Sequence, residues 1–127
     1  MFLNKYSDKS ILIIDERGEF SEVAGANIDK IKYSDKLYAF NYGIRSLSPD
    51  IVITDELVSE SDGECIKSAK NSGIKIIASC HAENIEDLKS KSFFCENMFY
   101  RYILLKNARN YGFGRIANVY DERFNIV

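Results

Sequence analysis

Three near-continuous apolar runs dominate this chain; two end in an Asp-Glu pair and the third in its single histidine. They are Ser10-Ile11-Leu12-Ile13-Ile14-Asp15-Glu16, Asp50-Ile51-Val52-Ile53-Thr54-Asp55-Glu56 and Ile74-Lys75-Ile76-Ile77-Ala78-Ser79-Cys80-His81. Apolar runs without alternation suit strands of a parallel sheet covered by helices on both faces. Sheets of that kind bind ligands outside the carboxyl ends of their strands. Asp15, Glu16, Asp55, Glu56 and His81 are therefore expected on one edge. Four bare carboxylates would repel there unless a cation or phosphate partner joins them. The layout suits nucleotide hydrolysis.

At 127 residues the chain is expected to form one domain, residues 1–127, with a real core. A formal net charge of -2 provides no basic surplus to draw nucleic acid or an anionic membrane. No apolar run approaches the ~20 residues that span a bilayer. The start, Met1-Phe2-Leu3-Asn4-Lys5-Tyr6, lacks the apolar region of a signal peptide, so a cytoplasmic location is expected. Cys65, Cys80 and Cys95 form no CxxC pair and read as reduced, packed thiols. Cys80 beside His81 could suggest a thiol hydrolase, but successive strand residues point to opposite faces.

Along the chain, strands are expected near 10–15, 50–54, 74–79, 99–105 and 115–120. Residues 16–35, rich in Gly, Ser, Asp, Glu and Asn, read as a long functional loop. A helix over 36–47 would carry Leu37, Phe40, Asn41, Ile44 and Leu47 on one face, and Pro49 would stop it. A second, over 60–72, has Ser59 as a cap and Gly73 as its end. A third starts at Asn84, with Glu86 and Asp87 where the helix dipole favours negative charge. A further short helix is expected over 90–97. The last two strands should form an antiparallel hairpin, with Tyr111-Gly112-Phe113-Gly114 in its turn.

Thr54-Asp55-Glu56 has the form of a Walker B element. In such an element the Asp holds Mg²⁺ through its water shell, and the Glu orients or deprotonates the attacking water. The same residues also suit a solvated strand end or a helix cap. Asp15-Glu16-Arg17 equally suits a loop ion pair, worth about 0–1 kcal/mol if exposed. His81 could hydrogen-bond a γ-phosphate or be a structural histidine. Arg45 could reach the same edge or complement its helix C-terminus. No G-x-x-x-x-G-K-[ST] occurs, and the 7 glycines form no phosphate nest. The triphosphate thus has no evident cradle of backbone N–H groups. The metal and water half of an ATPase site is written here, and the phosphate half is not.

Further stretches sharpen the reading: Arg17 with Glu19, Ile44-Arg45-Ser46-Leu47-Ser48-Pro49, Ser72-Gly73, Phe99-Tyr100-Arg101-Tyr102 and Gly112 to Asp121. Together with the three runs, in this order and spacing, they resemble the stage III sporulation AA family of ATPases from endospore-forming bacteria. More broadly they resemble the secretion ATPases of type II and type IV systems. The resemblance implies an α/β, RecA-like P-loop NTPase core: a mostly parallel sheet with helices on both faces and a C-terminal antiparallel hairpin. It implies an Asp box at Asp15, Glu16 and Arg17, a Walker B at Asp55 and Glu56, and a His box at His81. Glu56, Glu16 and His81 would then be catalytic, Asp15, Arg17 and Arg45 cofactor-binding, and Asp55 the metal ligand, for Mg²⁺ and ATP.

In the family these groups surround Mg-ATP at subunit interfaces of a ring that powers a channel between mother cell and forespore. The implied partners are further copies in a ring oligomer, the missing P-loop segment and membrane channel proteins of the sporulation machinery, with no nucleic acid. The implied location is cytoplasmic, peripheral to the membrane through those partners. The family carries its P-loop ahead of the Asp box, so the chain is expected to be the C-terminal portion of a RecA-like ATPase domain. The P-loop strand of such sheets lies between the strands matching 74–79 and 99–105. Without it, the chain is expected to self-associate through the open edge or to close the gap with the 99–105 strand. A rival reading is a non-catalytic remnant or interaction module with the same fold. A flavodoxin-like or receiver-type domain is a third, although it would want a phospho-acceptor where this chain has His81.

Overall fold

The structure, a computed structural model, describes residues 8–33, 35–106 and 114–127. Strands β1 (Ile11–Asp15), β2 (Ile28–Lys32), β3 (Ile51–Glu56) and β4 (Lys75–Ser79) form one parallel sheet in the order β2-β1-β3-β4. Helix α1 (Lys36–Leu47) links β2 to β3, and α2 (Glu60–Asn71) links β3 to β4. Helix α3 (Ile85–Ser90) follows β4, and β5 (Arg101–Leu105) pairs antiparallel with β6 (Ile116–Asp121) as a separate hairpin. The hairpin is the expected one; the Tyr111–Gly114 turn lies almost wholly outside the described residues.

Each helix begins where a side chain satisfies its open amides. Asp35 accepts from Tyr38 N at 3.0 Å, and Asn84 from Asp87 N at 2.8 Å. At the head of α2 the Asp62 carboxylate accepts from Ser59 N and Val58 N at 2.9 and 2.6 Å.

Alternation along the strands splits the core. Leu12, Ile14 and Val52 pack with Ala39 and Phe40 of α1, Cys65, Ile66 and Ala69 of α2, and Ile85 and Leu88 of α3. Ile11, Ile13, Ile51 and Ile53 pack on the other face with Phe20, Val23 and Ile28. Burying each such aliphatic side chain contributes about 1.5–3 kcal/mol.

Four expectations need correction. The supposed loop over 16–35 contains β2, whose Ile-Asp-Lys-Ile-Lys sequence alternates as a charged edge strand does. Its remainder covers the second face of the sheet; all three helices pack on the first, so helices do not lie on both faces among the described residues. Residues 91–97 form turns rather than a short helix. The buried stripe of α1 runs through Ala39, Phe40 and Gly43, while Leu37 and Asn41 are exposed.

The gap beside β4 is not closed by β5, which is hydrogen-bonded only to β6 in the sheet pattern. Tyr102, buried against Phe124 at 4.6 Å between ring centroids, holds β5 in its own layer. A cleft of about 1530 Å³ separates the two strands, lined by Ile74 to Ala82 on one side and Phe99 to Leu105 on the other. Lys75 N donates to Asp50 O, and Ser79 O accepts from Leu57 N. Those two residues face β3, so alternation turns the N–H and C=O of Ile76 and Ala78 toward the cleft. No strand among the described residues pairs with that edge.

Candidate active site at the carboxyl edge of the sheet

Because β1, β3 and β4 run parallel in register, their C-terminal residues share one edge, as expected. The two aspartates there are consumed by internal bonds. Asp15, 5% exposed, accepts from Gly18 N and Glu19 N through Oδ1 (2.9 and 3.1 Å) and from Phe20 N through Oδ2 (3.1 Å). It thereby folds the turn after β1, where Gly18 takes φ +73° at a position that favours glycine.

Asp55, also 5% exposed, accepts from Glu16 N through Oδ2 at 2.7 Å. Its Oδ1 accepts from the Tyr33 hydroxyl at 2.9 Å and lies 3.5 Å from Lys36 Nζ. Burial, reinforced by the hydrogen bond to Asp55, holds the Tyr33 phenol protonated well above the usual phenol range.

The glutamates differ. Glu16 is exposed, and Glu56 is half-buried at the mouth of the cleft. Glu56 Oε2 lies 3.5 Å from Arg17 Nη2 and 3.8 Å from His81 Nε2. Arg17 also reaches Glu19 at 3.9 Å. Glu56, Arg17 and His81 thus form one open cluster over two closed carboxylates.

Arg45 is not brought to this edge. It sits in the last turn of α1, which starts at Lys36 beside Asp55 and runs back toward the start of β3. Nine helical residues place it about 13 Å down the axis. There it complements the helix C-terminus. Cys80 is no activated nucleophile, since burial pushes its thiol up.

Among the described residues, no group of three or more His, Cys, Asp or Glu side chains is arranged to hold a metal ion. The donors therefore do not form a self-sufficient cage. Open Glu56 and Glu16 fit the different case of Mg²⁺, which keeps several waters and is held by one or two carboxylates plus substrate phosphates.

Three residues of this edge escaped the sequence reading: Tyr33, Lys36 and Asp62. Lys36 carried a signal, because a cation in the first turn of a helix opposes the dipole. Ser59 followed three residues later by Asp62, just after a strand, was a second, being a variant of the capping box.

Fold and edge together define an α/β protein with a parallel sheet and an acidic cluster at its strand ends. The family described as sporulation stage III, protein AA matches residues 9–127, and this chain belongs to it. The chain is similar to the stage III sporulation protein AA of Bacillus subtilis (strain 168), at 30% identity over 127 residues. That match takes in 91% of this chain and 41% of the relative, so the chain spans less than half the relative's length. No helix among the described residues is long and apolar enough to cross a membrane.

Proposed function

We propose that the chain supplies the metal and water half of a Mg-ATP-hydrolysing site on a RecA-like core, as the C-terminal portion of a sporulation ATPase domain. One observation carries this reading: Glu56 opens onto the β4–β5 cleft beside Arg17 and His81, while Asp55 behind it is fixed from three sides. In this account Glu56 orients and deprotonates the attacking water. Glu16 and His81 assist at the γ-phosphate, and Arg17 and Asp15 shape the nucleotide side. Mg²⁺ would supply charge neutralisation at the phosphates, with Glu56 and Glu16 on its water shell and Asp55, closed by its own bonds, fixing the Glu16 amide behind them.

The cleft is the natural seat for the absent phosphate half. A strand added at Ile76 and Ala78 would satisfy the open edge and carry a phosphate-binding loop toward Glu56. The assembled unit would work in the cytoplasm as a ring oligomer, next to membrane channel proteins between mother cell and forespore. Nucleic acid has no part in it.

A non-catalytic interaction module is the second reading. It is favoured by the internal engagement of both Asp15 and Asp55. The separating experiment joins the chain to a strand–P-loop–helix segment and follows phosphate release. Glu56→Gln should cut the rate by about 10²–10⁴-fold. Hydrolysis that ignores the substitution, or none in the joined protein, would favour the module.

A further inference from the structure

Lys36 occupies a position that ordinary helix energetics disfavours. It is the first residue of α1, where the dipole presents partial positive charge, and no acidic residue shares its turn. Its side chain is nevertheless drawn inward, with only 13% exposed. Nζ donates to the Glu56 carbonyl at 2.7 Å and lies 3.5 Å from both Asp55 Oδ1 and Asp62 Oδ1. The Tyr33 ring lies 5.9 Å away on a further side.

These contacts join the end of β3 to the head of α2. Asp55 passes the constraint to the Glu16 amide, and Asp62 passes it to the amides of Val58 and Ser59. The Glu56 main chain hangs from the ammonium between them. A single cation thus touches both residues of the Asp55-Glu56 pair and counters two buried carboxylates, which would otherwise repel.

We propose that Lys36 is a positioning residue: its ammonium fixes Asp55 and the Glu56 backbone so that the Glu56 carboxylate faces the cleft. The consequence for catalysis rests on the ATPase reading above, while the positioning itself needs no ligand. A compact ammonium with three donors suits three acceptors set around one point.

The test is amide hydrogen exchange of the whole chain, without ligand, in wild type, Lys36→Met and Lys36→Arg. In Lys36→Met the Glu16 amide, which reports Asp55, should lose protection about tenfold or more while core amides such as Ile13 and Val52 shift less than about threefold. Lys36→Arg, which keeps the charge but not the compact head, should recover only part of the loss. A role confined to packing predicts uniform changes across core and edge. An unchanged Glu16 amide in Lys36→Met, or a loss there no larger than at Ile13 and Val52, overturns the proposal.

Should Lys36→Met not fold, the pair Lys36→Met with Asp62→Asn removes one carboxylate with the ammonium, and the same loss at Glu16 is expected. Failure of the ATPase reading shows elsewhere. With Mn²⁺-ATP and the P-loop segment supplied, Glu56 and His81 resonances would then stay unbroadened in wild type, whatever the exchange data say.

Discussion

The Glu16 amide donates to Asp55 Oδ2 at 2.7 Å, binding the residue after β1 to the penultimate residue of β3. The residues that read as two separate Asp-Glu pairs are therefore one unit. In each pair the aspartate is structural and the glutamate is open.

Asp55→Ala should consequently destabilise the fold by about 3 kcal/mol, because it strands Tyr33, the Glu16 amide and part of the Lys36 charge. Glu56→Gln, at the cleft mouth, should change stability by less than about 0.5 kcal/mol. Urea unfolding of the two variants at neutral pH checks the contrast.

Tyr33 makes alkaline stability informative. Its phenol is held protonated in the folded chain above its unfolded value of about 10, so the unfolded chain loses that proton first as pH rises. The stabilisation is whole below pH about 10 and drains away as pH climbs toward the folded value. Urea midpoints across this range should fall more steeply for wild type than for Tyr33→Phe.

The three thiols should react in a fixed order. Cys95 is exposed, Cys80 is half-buried with a raised pKa, and burial pushes Cys65 up to about 11. A thiol reagent at pH about 8 should label Cys95 first, and Cys65 only after unfolding. Mass mapping of partly labelled protein reads this directly.

Gly63 lies where α2 meets the chain at Phe93, and a Cβ there would collide with the Phe93 carbonyl oxygen. Alanine normally favours a helix by about 1 kcal/mol over glycine. Here backbone must move, so Gly63→Ala should cost a net of about 1–3 kcal/mol, measured by thermal or urea unfolding.

The frame was legible because burial writes it plainly. The Ile-rich runs became β1, β3 and β4, and Asp15, Glu16, Asp55, Glu56 and His81 shared an edge because parallel strands end together. β2 was hidden because an edge strand carrying Asp29, Lys30 and Lys32 looks like loop. Arg45 stayed open between that edge and its helix C-terminus because the direction of α1 relative to the strand ends needs the fold, although its length was legible. Tyr33 was invisible and Lys36 showed only as a cation at the wrong helix end, since their partners lie 19 or more positions away across the fold. What Asp15 and Asp55 bond to could only be seen with the backbone in place.

The central claim is that this chain holds the metal and water half of a nucleotide site and receives its phosphate half at the β4 edge. Titration calorimetry with Mg-ATP tests it most directly, on the 127-residue chain alone and on the chain joined to a strand–P-loop–helix segment. The account predicts no saturable binding by the chain alone and clear saturation once the segment is present. Tight binding by the chain alone, or none by the joined protein, would contradict it.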